Sequence, residues 1–279
     1  MKERTTNDRN GCNVCPRHCT VDRFYKFGFC GAPMNPVIAS VMVHPGEEPV
    51  ISGSRGSGTI FFAGCNLGCV FCQNHGISQA CNGNEVTPSE LADVFLRLEM
   101  QAVHNVNLVT PVHFVPQIAE AVKLAKDKGI MIPFVYNSNG YDALQSLQLM
   151  DGLIDVYMPD LKYADNVHGQ RYSNVPDYFS VASKALLEMY RQVGDPVIQR
   201  GVMQKGLLIR HLVMPGLSKD SMAVLDWIKA NVPSALVNLM DQYRPAYLAD
   251  EFAEINRRLT PAEYRQAADY FSELGLQEG

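Results

Sequence analysis

The chain has 279 residues, 47% of them hydrophobic, and a net charge of −5, which is enough to bury a large core in an α/β domain. The acidic balance argues against a nucleic-acid or anionic-membrane surface, and no run reaches the apolar length that crosses a bilayer. Met1 to Asn10 is polar with no apolar stretch of the signal-peptide kind, so a cytoplasmic protein is expected.

In chain order, residues 1–58 read as a cysteine-rich N-terminal extension. Cys12, Cys15, Cys19 and Cys30 stand at metal-ligand spacing. Four thiols can close a tetrahedral zinc site or saturate a [4Fe–4S] cluster, and spacing does not decide between them. His18 reads as a surface residue, His44 with Glu47 and Glu48 as a solvated loop, and Ile51 to Gly58 as a linker. All eight cysteines fall in the first third of the chain, a clustering that points to metal ligands rather than disulfides.

Residues 59–279 read as the main domain. Apolar runs at Thr59–Ala63, Val106–Thr110, Met131–Tyr136, Asp155–Met158, Leu207–Val213 and Ala235–Met240 predict strands. Helical periodicity follows each of them, over Ser89–Gln101, Val115–Lys128, Tyr141–Met150, Tyr178–Val193, Ser218–Val232 and Pro261–Leu274. The charged stretch Glu251–Arg258 reads as an exposed helical face. Six strand–helix repeats imply a parallel sheet with helices outside, whose ligands bind at the C-terminal ends of the strands. Three polar clusters follow strands there: the Cys65–Cys72 loop, Asn137-Ser138-Asn139-Gly140 and Asp160-Leu161-Lys162.

The loop Cys65-x3-Cys69-x2-Cys72 offers three thiolates in eight residues. Three thiolates hold three corners of a [4Fe–4S] cube and leave one iron open, an arrangement for chemistry rather than electron storage. A zinc knuckle completed by His75 is the alternative, and leaves the neighbouring motifs unexplained. Cys81 reads as a plain loop residue, with a redox-active thiol as the second reading.

Phe62 to Asn74, with Phe71 before the last cysteine, resembles the radical S-adenosylmethionine (SAM) superfamily. More closely it resembles the homologues of pyruvate formate-lyase activating enzyme. So do Asn107-Leu108-Val109-Thr110-Pro111, Val135 to Tyr141, Tyr157 to Tyr163, Ile209 to Gly216 and Met240 to Pro245. The resemblance implies a partial (β/α)6 TIM-like barrel holding a [4Fe–4S] cluster at Cys65, Cys69 and Cys72. It further implies that SAM chelates the open iron and is cleaved to a 5′-deoxyadenosyl radical for hydrogen abstraction. Cofactor contacts are implied at Phe71, beside the adenine, and at Asn74, Thr110, Asn137, Ser138, Asp160, Lys162 and Arg210. A second reading makes Arg210 an interior ion pair.

Two motifs depart from the family pattern. Thr110-Pro111-Val112-His113 replaces the Gly-Gly-Glu that receives the SAM amino group, and Tyr243 stands where activating enzymes carry a histidine. Implied partners are SAM, an electron donor such as flavodoxin or ferredoxin, and a protein or peptide substrate. Three functions follow: activation of a glycyl-radical enzyme, radical modification of another peptide or small molecule, or non-catalytic electron transfer.

Overall fold

The structure, a computed structural model, describes residues 11–279; the polar start that carries the export expectation lies outside them. The strands are β1 (Val37–His44), β2 (Ser57–Phe62), β3 (Asn84–Glu85), β4 (Val106–Val109), β5 (Phe134–Ser138), β6 (Val156–Pro159), β7 (Val197–Gln199), β8 (Val202–Leu212), β9 (Leu236–Met240) and β10 (Gln277–Glu278). Six of them, β2, β4, β5, β6, β8 and β9, lie side by side in that order and all parallel. Beyond β2, β1 runs antiparallel with β3 outside it, and β10 extends the other edge. The sheet stays open between these edges. It is the α/β partial (β/α)6 barrel that the strand–helix repeats and the resemblance led us to expect.

Alternation along each strand divides the core. Ile60, Leu108, Tyr136, Tyr157 and Ile209 pack outward in the large cluster with Phe95, Ile118, Leu186 and Val224 of the surrounding helices. Those helices are α3 (Pro88–Met100), α4 (Val115–Asp127), α7 (Tyr178–Val193) and α8 (Ser218–Asn231), with the short α1 (Pro49–Ser52), α2 (His75–Ser78), α5 (Leu144–Leu149) and α6 (Asn166–Ser173) between strands and α9 (Pro261–Glu273) near the end. Inward-facing Val135, Val156, Met158, Leu208 and Leu236 form a smaller cluster with Ile51 of α1. Local chemistry sets the helix starts. Thr87 and Glu90 form a reciprocal capping box ahead of α3, as do Thr260 and Glu263 ahead of α9, each with proline in the first turn.

Several local expectations change. The expected linker at 51–58 shrinks to a turn at 53–56 between the end of α1 and the start of β2, and α1 packs Ile51 into one end of the barrel. Asn105 Nδ2 donates to the Ile51 carbonyl at 2.8 Å and holds it there. Glu48 is 8% exposed rather than solvated. Glu251–Arg258 is no helix: a 3-10 turn at Ala249–Glu251 leads into irregular chain. β1 escaped the sequence reading because beyond Ile38, where β3 stops, it is an open edge with only its first residues buried and no clean alternation to betray it.

Candidate functional site

The cysteine loop leaves β2 through Gly64, whose φ of +83° is open to glycine. A Cβ there would lie 2.6 Å from the Cys30 carbonyl and 3.2 Å from His113 Nε2. The extension, the cysteine loop and the segment after β4 therefore meet at this residue. Asn66, fully buried, holds the loop's shape by donating to the Tyr141 carbonyl at 2.7 Å. Asn139 reaches the same place, donating to Asn66 Oδ1 at 2.8 Å and to Cys65 Sγ at 3.4 Å.

All eight cysteines are free. Cys69 Sγ lies 3.0 Å from Ser173 Oγ, and Cys72 Sγ 3.3 Å from Ser78 Oγ. Loss of hydration, followed by the charges of Cys69 and Cys72, pushes the Cys65 thiol up to about 12. Burial also raises Cys69, opposed by the Lys162 ammonium. The three thiols thus lie within one another's fields, and three such thiolates need a positive centre among them. That donor chemistry fits an iron–sulfur core, although no three His, Cys, Asp or Glu side chains among the described residues stand arranged around a metal ion.

The loops after β5 and β6 close on the cysteine loop. Gly140 (φ +79°) passes so near the Asp160 carbonyl that a Cβ would overlap it. The Tyr178 hydroxyl bridges the carbonyls of Asn139 (2.8 Å) and Asp160 (3.0 Å) and accepts from the Lys162 N–H. Asp160 takes Lys162 Nζ at 2.5 Å on one oxygen and Arg210 Nη2 at 2.9 Å on the other. Burial would raise this carboxyl, but Arg210 and then Lys162 outweigh it and hold it below the usual range. Arg210 also donates to Asn137 Oδ1 at 2.8 Å, and its pairing with Asp160 is an ion pair of the kind the second reading expects.

Ser138 is buried and donates to Asp142 Oδ2 at 2.8 Å, Asp142 also accepting from the Tyr136 hydroxyl at 2.7 Å. Phe71 is buried with its ring 5.8 Å from that of Tyr243, whose hydroxyl donates to the Ile255 carbonyl. Asn74 is exposed at the start of α2, apart from the buried cluster. Thr110, directly after β4, has φ +60°, an outlier for a β-branched residue. His113 is buried in the 3-10 turn that opens α4, its Nε2 2.8 Å from the Ala63 carbonyl and its Nδ1 without a partner. His18 is exposed, as expected.

The second cysteine group is drawn together as well. Burial pushes Cys15 up to about 12, and the charges of Cys30, Cys12 and Cys19 add to it. Two arginines tie this group to the barrel. Arg17 donates from Nε to the Asn66 carbonyl at 2.8 Å and stacks 3.6 Å over Phe29. Arg23, 4% exposed, donates to the carbonyls of His113 (2.6 Å), Ala32 (3.3 Å) and Pro33. Sequence reasoning missed Arg23, Glu48, Asp142, Ser173 and Tyr178. Asp142 alone carried a local signal, being two residues past the Asn137–Gly140 run.

Residues 59–228 match the radical SAM superfamily. The chain belongs to it. An uncharacterised protein of Methanocaldococcus jannaschii is 34% identical over 275 residues, 95% of this chain and 75% of its own. Streptococcus suis SuiB superposes with a TM-score of 0.52 at 12% identity, over 75% of this chain and 44% of SuiB, a likeness of fold. A domain of pyruvate-formate lyase-activating enzyme from Bacteroides vulgatus gives 0.44 at 12% identity, over 59% of this chain and 89% of that domain. Membership of the radical SAM superfamily implies a [4Fe–4S] cluster and SAM-dependent radical chemistry.

Proposed function

We propose that this protein is a radical SAM oxidoreductase that cleaves SAM reductively and abstracts hydrogen from a substrate. Cys65, Cys69 and Cys72 would hold the cluster. When bound, the cluster supplies the electron that splits the SAM sulfonium, and the 5′-deoxyadenosyl fragment takes the hydrogen. The observation that carries this reading is the joining of three strand-end loops: Asn139 on Cys65, Lys162 in the field of Cys69, and Tyr178 between the β5 and β6 loops.

The chain's own residues divide the remaining work. Lys162 stands to pair with the SAM carboxylate, with Asp160 fixing its ammonium, Arg210 holding Asp160 in turn, and Asn137 and Ser138 bracing the neighbouring loop. Thr110 stands where Gly-Gly-Glu would receive the SAM amino group. Its left-handed backbone is strain of the sort that binding sites retain, and its N–H is spent on the Asn137 carbonyl at 2.9 Å, which leaves its own carbonyl for the ligand. Phe71 would border the adenine from beside Tyr243, with Asn74 at the rim.

Cys12, Cys15, Cys19 and Cys30 would hold a second [4Fe–4S] cluster or zinc. A flavodoxin- or ferredoxin-like donor in the cytoplasm, where thiols stay reduced, would supply the electrons. Between substrates, the hydroxyl of Tyr243 favours a target other than the glycine of a glycyl-radical enzyme. It is spent on Ile255 at the position where activating enzymes carry a histidine. Anaerobic reconstitution and assay for 5′-deoxyadenosine test the radical reading, and a reduced, iron-loaded protein that makes none would be an electron carrier. Deuterium transfer from a labelled glycine into 5′-deoxyadenosine would restore the activase role.

A further inference from the structure

Arg17 stands between the two cysteine groups. In the chain it lies midway between Cys15 and Cys19, yet its Nε donates to the Asn66 carbonyl, inside the Cys65–Cys72 loop, at 2.8 Å. Its guanidinium carbon sits 3.6 Å over the ring of Phe29, a stack that holds the cation in place. The ring in turn presses on the same loop, because a Cβ at Gly68 would lie 3.3 Å from its Cζ. The Phe29 N–H donates to Cys19 Sγ at 3.4 Å, and Cys30 is the next residue. The stacked pair therefore meets the barrel loop at Asn66 and Gly68, both between Cys65 and Cys69. It meets the extension's group at Cys19.

The guanidinium has one donor to spare. Arg17 Nη2 is buried without a hydrogen-bond partner, and an arginine keeps its charge in a protein. Burial lowers the Arg17 pKa while the charges of Tyr141, Cys15, Cys19 and Cys65 oppose it, so one cation feels thiols of both groups. Net charge, hydrogen bonds to the sulfurs and exclusion of water are what set an iron–sulfur potential. Arg17 supplies the first, and Nη2 is a donor left over for the second.

We infer that Arg17, from its seat between the two thiol groups, eases one-electron reduction of the cluster held by Cys65, Cys69 and Cys72. The inference rests on the radical SAM reading and adds to it a residue that acts through the cluster alone. Held beside Asn66, the guanidinium offsets the negative charge that the added electron brings. It therefore stabilises the reduced form more than the oxidised one.

The test is a potentiometric titration of anaerobically reconstituted holoprotein with titanium(III) citrate as reductant, followed by electron paramagnetic resonance. The signal read is the one that SAM perturbs, since SAM chelates the open iron. Arg17→Gln keeps a donor for the Asn66 carbonyl and removes the charge. At a fixed potential it should lower the reduced-to-oxidised ratio about ten-fold, which is about 59 mV for one electron. Arg17→Lys keeps the charge and should recover at least half of that shift. Phe29→Leu releases the guanidinium from its stack and should move the ratio the same way by less. An Arg17→Gln potential equal to that of wild type overturns the inference. So does Arg17→Lys falling as low as Arg17→Gln, because shape rather than charge would then matter. If the Arg17 variants take up no iron, Phe29→Leu decides, and an unmoved potential there overturns the inference. The wild type keeps the two ideas apart: a reduced, iron-loaded protein whose signal ignores SAM sinks the radical reading. A SAM-responsive signal with unmoved potentials in the variants sinks only the role of Arg17.

Discussion

The two cysteine groups rest on different kinds of backbone. The Cys65–Cys72 loop springs from a buried parallel strand, and each of its thiols has a polar contact supplied by the barrel: Asn139, Ser173 or Ser78. Cys12 to Cys30 lies in chain with no strand or helix between residues 11 and 36, anchored through Arg17 and Arg23. A short segment without much core depends on a metal or on borrowed packing for its shape. Under the proposed function the barrel loop presents a cluster from a frame that the fold already builds, whereas the extension would take its shape from whatever its thiols hold.

The largest expected effect separates the two groups. Cys69→Ala should abolish 5′-deoxyadenosine formation and remove about four irons, the content of one cubane. Cys15→Ala should leave part of the activity if the extension is a staple. Total loss in both variants, with the barrel still folded, would make the second group an electron relay and end the distinction. Metal analysis of anaerobically purified protein sharpens it, with about eight irons for two clusters, or about four and one zinc.

The next effect attacks the anchor. Arg23→Met strands three buried carbonyls, of His113, Ala32 and Pro33, at about 4 kcal/mol in total, which lowers the melting temperature by on the order of 10 °C. Proteolysis should then cut first between residues 11 and 36. A melting point within a degree or two of wild type would mean that the extension hangs on Arg17 or on its metal.

The strand–helix order and the three strand-end motifs were legible because parallel buried strands write themselves as continuous apolar runs, and chain order alone brings their C-terminal ends together. The lumen was not. Glu48 reads as a loop acid because the tetrapeptide helix after it has no periodicity to read, and its burial depends on Asn238, 190 residues away. Arg23 was hidden for the same reason, its carbonyl partner at His113 being 90 residues distant. Spacing shows which residues can bind a metal; long-range pairing decides which charges are buried.

The smallest effect concerns Asp142, which braces the β5 loop of the barrel through Tyr136 and Ser138. Burial pushes its carboxyl from 3.8 up to about 6, against the opposing bonds from Tyr136 and Ser138. Below 3.8 both folded and unfolded forms are protonated, and above 6 both are ionised. Between those values the folded protein keeps a proton that the unfolded chain has lost, so stability falls as pH rises through this window. At about 1.4 kcal/mol per pH unit the loss is on the order of 3 kcal/mol. Melting curves of wild type and Asp142→Asn, taken from pH 4 to 7, should show wild type losing ground to the variant up to about pH 6 and holding level beyond. A difference that stays flat across the range would mean that the Tyr136 and Ser138 hydroxyls keep the carboxylate ionised. The loop beside Cys65 would then be braced by a fixed charge, as the extension is by Arg23.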